Sequence, residues 1–340
     1  MHTLYYPSQE SDFETWTTSF SHCILVVDAK SNGFCTSVAK ALFPSFHQHP
    51  VLIVPDGEEN KNTTVLEFVY QELFRLEAHR HTLLLILGGG VLSDLVGYAA
   101  ATYKRGIPYA TLPTTLTAMA DAAYGGKTGI NFHRIKNSIG CFYPAQAIYI
   151  NPVWLRTLSE NEVRSGYVEM IKHALLDSEW LFQNTLNQER GVAPNVQQLQ
   201  QTVQIKMHWV AKDPLDKADR QALNIGHSMG HALESWSKET NFPLRHGEAV
   251  LLGLILECSI AERMLSLSPT VRQQLLVWKE MNMADCNVHT TINALYPFLV
   301  QDKKNDHQIR MPLLADVGNV RINQPVPMAL LEELFAEIQL

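Results

Sequence analysis

Unbroken apolar stretches within residues 23–28, 51–54 and 82–87 restrict what this chain can fold into. A strand with one wet face alternates apolar and polar residues, whereas a strand lacking that alternation is covered on both faces. Parallel strands flanked by helices provide that cover. Between the second and third stretches, Val65, Phe68, Val69, Leu73 and Leu76 recur at helical spacing. Residues 107–112 predict a fourth strand and 147–150 a fifth. The first half therefore reads as an open, Rossmann-like α/β sheet.

After Asn151-Pro152 the texture changes. Helical patterns fill 160–176, 195–212, 219–237, 246–264 and 327–338, with one isolated extended stretch at 308–313. The predicted organisation is α/β followed by α, with an α/β domain over 1–155 and a mainly helical domain over 156–340. The chain of 340 residues is long enough for two cores. Its net charge of -7 argues against broad nucleic-acid binding. Five scattered cysteines with no C-x-x-C pair fit a reducing compartment. Residues 1–20 carry Glu10, Asp12 and Glu14 and no apolar core, so no signal peptide is expected. The longest apolar run, 249–256, is too short to span a bilayer. A cytoplasmic protein that does not enter membranes is the expectation.

In open α/β sheets, ligands bind at the carboxyl ends of the strands, where glycines let a pyrophosphate approach the next helix. Gly88-Gly89-Gly90 stands at such an end, although it is not the G-x-G-x-x-G fingerprint. Glu58, in the loop 55–61, could accept from ribose hydroxyls, and Thr114 and Thr115 could donate to phosphate. Singly, each is ordinary turn chemistry; together they mark one edge. Residues 121–131 and the following Lys136-Asn137 read as a glycine-rich loop without a strand pattern. Lys127 and Lys136 there suggest an anion pocket, but the spacing is wrong for an ATP-binding P-loop.

In the second half, His227, His231 and Glu234 share one helical face, and His246 opens the next helix. Gly226 and Gly230 are read as lying inside the helix 219–237, where each costs about 1 kcal/mol relative to alanine. A catalytic zinc takes three protein ligands. The spacing offers His227, His231 and His246, or a set in which Glu169 replaces one histidine. It does not choose between them. Lys206, Arg220 and the run Asp302-Lys303-Lys304 read as solvated surface, and Asn224 lies one turn before His227.

The motifs run in order: Gly88-Gly-Gly-Val-x-x-Asp94, Pro113-Thr-Thr-Leu116, Gly125-Gly-Lys-Thr-Gly129, Lys136-Asn137, Glu169-x-x-Lys172, Leu223-Asn-x-Gly-His-x-x-Gly-His-Ala-x-Glu234 and His246-Gly-Glu-Ala249. Together they resemble the 3-dehydroquinate synthase family. That resemblance implies an N-terminal NAD-binding domain, a C-terminal helical metal and substrate domain, and commonly a homodimer. It implies Glu169, His227 and His246 as ligands of a divalent metal, Zn2+ or alternatively Co2+. His231, Lys127, Lys172, Asn137, Arg105 and Asp121 would be catalytic, and Lys136, Lys206, Arg220, Asn224 and Lys304 would bind substrate. Asp28, Glu58, Lys61, Gly89, Gly90, Asp94, Thr114, Thr115, Thr157 and Glu162 would face NAD.

The implied reaction turns 3-deoxy-D-arabino-heptulosonate 7-phosphate, a phosphorylated sugar acid, into 3-dehydroquinate and phosphate, with NAD regenerated in each turnover. The chain departs from the family pattern at Ser93, at Ala122-Ala123-Tyr124, at Ser228-Met229, at Pro214 and at Lys30. None removes an implied ligand. The rivals are related cyclases making 2-epi-5-epi-valiolone, aminodehydroquinate or 2-deoxy-scyllo-inosose, and a metal-dependent alcohol or glycerol dehydrogenase.

Overall fold

A computed structural model describes every residue except Met1, Arg134, Arg190, Phe242, 302–307 and 338–340. The chain divides into two compact units. The first comprises Met1–Val163 with Ala193–Val203, and the second Arg164–Val192 with Gln204–Leu340.

The first unit is built on a six-stranded sheet in which every pairing is parallel. Across the sheet the strands run Thr3–Tyr5, Ala147–Tyr149, Tyr109–Pro113, Leu83–Gly88, Cys23–Asp28, Val51–Val54. The five strands expected from sequence are present. The edge strand Thr3–Tyr5 was not expected, because its three residues are only partly covered and carry no apolar run. Leu83–Gly88 is buried at every position, which explains its lack of alternation. Under one end of the sheet, Phe13 packs on Phe43 and Tyr149 with ring centres 5.2 and 5.1 Å apart. Tyr149 meets Trp154 at 5.7 Å, and all four side chains are fully buried.

One sequence expectation for this unit needs correction. Residues 121–131 do not form a loop throughout: Lys127–Phe132 and Ile135–Phe142 pair as an antiparallel hairpin. Gly129 and Gly140 face each other in its register, and glycine hides a strand from propensity arguments. The hairpin places Lys127 and Lys136 at different points along its length. Lys127 lies at its open end and Lys136 beside its turn, roughly 13 Å apart by strand rise.

The second unit is mainly helical. Its long helices include Glu160–Leu175, Val196–Lys212, His246–Leu265 and Met328–Glu337, the first two reaching into it across the unit boundary. Helices Glu179–Leu186, Pro269–Asn282 and Ile292–Gln301 were not anticipated; the last contains Pro297, which masks its periodicity. The helix expected over 219–237 is broken. A 3-10 turn, Asp219–Asn224, precedes the helix His227–Ser237, and Gly226 is the left-handed N-cap at φ +74°. The stretch 308–313 is not an isolated strand either, since Arg310–Asp316 pairs antiparallel with Asn319–Pro325. Among the described residues no helix is long and apolar enough to cross a membrane.

Phe13→Ala should destabilise the chain by about 3–5 kcal/mol, the usual loss for a buried phenylalanine. Urea unfolding followed by tryptophan fluorescence measures this, and a loss below about 1 kcal/mol would show that the aromatic cluster relaxes around the gap.

Candidate active site

Strand order reverses between Cys23–Asp28 and Leu83–Gly88, which makes the carboxyl ends of these neighbours a topological switch point. Val27 pairs with Leu87, so Asp28 and Gly88 end the two strands side by side. Asp28 Oδ1 accepts the Ser31 N–H at 2.7 Å and fixes the turn that follows. Gly89 is the N-cap of the helix Gly90–Thr102 and leaves its first N–H groups without a side-chain cap. On the next strand, Thr114 N–H donates to the Gly88 carbonyl at 3.0 Å, and Thr115 Oγ1 accepts from Ala118 N–H at 3.2 Å.

Four of the expected residues are tied together at this edge. Buried Lys61 meets Asp94 Oδ2 and Asn137 Oδ1, each at 2.5 Å. Glu58 Oε1 accepts Asn131 Nδ2 at 2.8 Å, Asn131 Oδ1 accepts the Asn137 N–H at 2.9 Å, and Asn131 N–H donates to the Lys61 carbonyl at 2.8 Å. Asn131 thus joins Glu58, Lys61 and Asn137. In sequence it is only the last residue of the glycine-rich segment 121–131. Its signal was an amide at the border of a strand, able to donate and accept at once.

The other expected residues of this unit belong to different elements. Arg105 is at the far end of the helix that Gly90 begins, roughly 20 Å along its axis. Asp121 belongs to the wide turn Ala118–Ala122. Thr157 and Glu162 are exposed, and Glu162 Oε2 accepts from the Ser159 backbone and hydroxyl at 3.2 and 3.0 Å, closing a capping box.

In the second unit, charge is buried. Glu169 and Lys172 are each 1% exposed and meet at 2.6 Å one turn apart on the helix Glu160–Leu175. Lys206, Arg220 and Glu234 are also buried. Buried ionisable groups are uncommon, and their concentration here makes this a candidate site. Arg220 donates to the Pro214 carbonyl at 3.0 Å, and Asp213 Oδ2 accepts the Arg220 N–H at 3.3 Å; the proline departure thus leaves Arg220 anchored. Asn224 ends the 3-10 turn. Lys304 lies outside the described residues.

Glu169, His227 and His246 converge, with one ligand atom from each within 4.8 Å of the others. Both histidines present Nε2 to Glu169 Oε1, at 3.6 Å from His227 and 3.1 Å from His246. Their other nitrogens are engaged: His227 Nδ1 with the Ile225 carbonyl at 3.2 Å, His246 Nδ1 with Glu234 Oε2 at 3.3 Å. That arrangement points Nε2 inward, the orientation that outer partners impose on metal-binding histidines. One carboxylate oxygen and two imidazole nitrogens suit zinc or cobalt and leave room for a further ligand. His231 is exposed, its ring 5.2 Å from that of His227 and 6.1 Å from that of His246. Burial, reinforced by the Lys172 charge, pushes His227 well below the usual histidine range. Burial also opposes the charge on His246, but the bonds to Glu169 and Glu234 outweigh it and raise the group to about 9.

Residues 51–165 match the 3-dehydroquinate synthase N-terminal family, and residues 166–305 the 3-dehydroquinate synthase C-terminal family. A 3-dehydroquinate synthase from Parabacteroides distasonis is 36% identical over 94% of this chain and 91% of its own. Among solved structures, a 2-deoxy-scyllo-inosose synthase complexed with carbaglucose-6-phosphate, NAD+ and Co2+ superposes with a TM-score of 0.85 at 23% identity, covering 100% of this chain and 96% of that one. The 2-epi-5-epi-valiolone synthase of Streptomyces hygroscopicus, with NAD+ and Zn2+ bound, gives 0.83 at 24% identity, covering 99% of this chain and 97% of its own. These two likenesses establish the fold. With both halves matched and a relative this similar along nearly its whole length, the chain belongs to the 3-dehydroquinate synthase family.

Proposed function

We propose that this chain is a 3-dehydroquinate synthase, converting 3-deoxy-D-arabino-heptulosonate 7-phosphate to 3-dehydroquinate and phosphate with NAD and a divalent metal, Zn2+ or Co2+. The observation that carries the reading is the convergence of Glu169, His227 and His246 in a unit that also buries Lys172, Lys206 and Arg220. When bound, NAD supplies a hydride acceptor and donor, and the metal supplies Lewis acidity.

The first unit, 1–155 in the sequence-based division, is the NAD-binding part of this reading. Asp28, Glu58, Lys61, Gly89, Gly90, Asp94, Thr114 and Thr115 lie at or beside the carboxyl ends of its strands, while Thr157 and Glu162 are assigned to NAD by motif alone. Glu169, His227 and His246 hold the metal. Lys172, buried against Glu169, offers its ammonium to developing negative charge, and exposed His231 moves protons. Lys127, Lys136, Asn137, Lys206, Arg220, Asn224, Arg105, Asp121 and Lys304 are assigned to the substrate by motif. Arg220 suits planar, bidentate recognition of carboxylate or phosphate, whereas the lysines act as point charges. A metal-dependent alcohol dehydrogenase has no such need for buried cations. We further propose a cytoplasmic homodimer acting on this small phosphorylated sugar acid.

Purified chain with catalytic NAD and Zn2+ or Co2+ should release phosphate from the heptulosonate phosphate without accumulating NADH. Metal-loaded, folded protein that releases none would refute the assignment. His246→Ala should lose the metal by elemental analysis, whereas His231→Ala should keep it and lose at least tenfold in kcat. Equal metal loss in both would favour the three-histidine set instead.

Because His246 is raised to about 9 in the metal-free chain, it carries a proton at pH 7.5, while His227 is already neutral. Metal binding through Nε2 must expel that proton, so apparent affinity should fall about tenfold per pH unit below 9. Calorimetry at pH 7.5 in two buffers of different ionisation enthalpy should count about one proton released per ion. A count of zero would show that His246 is already neutral at this pH.

A further inference from the structure

The helix His227–Ser237 has no cap from its own sequence, because its N-cap is Gly226. A carboxylate from another helix fills the position. Glu257, buried within His246–Leu265, accepts the Gly226 N–H on Oε2 at 2.6 Å and the Met229 N–H on Oε1 at 3.2 Å. The two N–H groups bracket His227 in sequence. A carboxylate at this end of a helix is favoured by the unpaired N–H groups and by the helix dipole, and such charge-assisted bonds are the stronger kind.

The contact around this clamp is close. One turn before Glu257, a Cβ on Gly253 would overlap the Gly226 carbonyl oxygen. A Cβ on Gly226 would lie 2.5 Å from Leu254 Cγ. Beside Glu257 is a small cavity walled otherwise by Ile225, Leu254, Cys258, Pro312 and Leu314, so N–H groups released there would find few other acceptors. The carboxylate therefore fixes the start of one helix against the flank of the other.

The consequence reaches the histidines. His227 is the first residue of the clamped helix, and His246 is the first residue of the helix that carries Glu257. One rigid rod thus holds one of the converging imidazoles and the clamp for the other. The Ile225 carbonyl that holds His227 Nδ1 belongs to the same restrained turn.

We propose that Glu257 is a positioning residue of the metal centre: by gripping the N–H groups on either side of His227, it sets where the His227 imidazole stands relative to His246 and Glu169. This rests on the reading of Glu169, His227 and His246 as metal ligands. Glu257 itself touches neither metal nor substrate in this account.

The test is Co2+ titration of the full chain, reading both the dissociation constant and the visible absorption bands that report coordination geometry. Glu257→Ala should weaken Co2+ binding by roughly ten- to hundredfold, the usual effect of losing an outer partner of a ligand, and should alter the band pattern. Glu257→Gln keeps one acceptor oxygen and should fall between wild type and Glu257→Ala. Gly253→Ala, which pushes on the same turn without touching the carboxylate, should shift the bands as well. Wild-type affinity and bands in folded Glu257→Ala would overturn the proposal, even if its thermal midpoint dropped, because Glu257 would then serve stability alone. Should Glu257→Ala fail to fold, Glu257→Gln decides by the same criteria. If wild-type protein bound no Co2+, the metal reading itself would fall, an outcome distinct from unchanged binding in the variants.

Discussion

Two opposite charges withdrawn from water one helical turn apart, Glu169 and Lys172, set the terms for the second unit. Desolvating such a pair costs several kcal/mol per ion, and a well-packed apolar pair would often be the more stable choice. Its presence makes sense through what surrounds it. The Lys172 charge adds to burial in keeping His227 neutral, while the Glu169 carboxylate helps keep His246 basic. One ion pair therefore pushes two neighbouring imidazoles in opposite directions. Both nonetheless turn Nε2 toward the same carboxylate oxygen, because backbone and Glu234 acceptors hold their other nitrogens.

The first unit reaches its order differently. Its strands supply a rigid edge, and the chemistry sits on the connections at their carboxyl ends. Lys61 is nearly inaccessible, yet it joins an acidic residue on a helix to an amide on the hairpin. The switch point, the short 3-10 turn Glu58–Asn60 and the hairpin are thereby connected through side chains.

Sequence patterns exposed the parts of the fold where one physical rule dominated. Burial on both faces left apolar runs such as Leu83–Gly88, and those strands could be read directly. The hairpin could not, because its glycines carry no strand preference and Phe132, Ile135 and Phe142 are left exposed on it. The break before His227 was hidden for the opposite reason: the residues on both sides suit a helix, and only the left-handed Gly226 interrupts it. The histidine spacing offered two ligand sets, since it says nothing about residues that approach from another helix. Glu169 is such a residue. Glu257 escaped notice because a carboxylate inside an otherwise apolar helical run gives no hint of which distant N–H groups it will meet.

Asn131 uses its side-chain oxygen, its side-chain amide and its backbone N–H toward three different partners. No other standard side chain of that length offers an acceptor and a donor so placed. Aspartate would set a second carboxylate against Glu58, and serine would fall short of it. For protein engineering, this means that the hairpin is not a module to be exchanged between relatives as a surface loop. A graft would have to carry its amide and the 3-10 turn together, as a matched pair of parts.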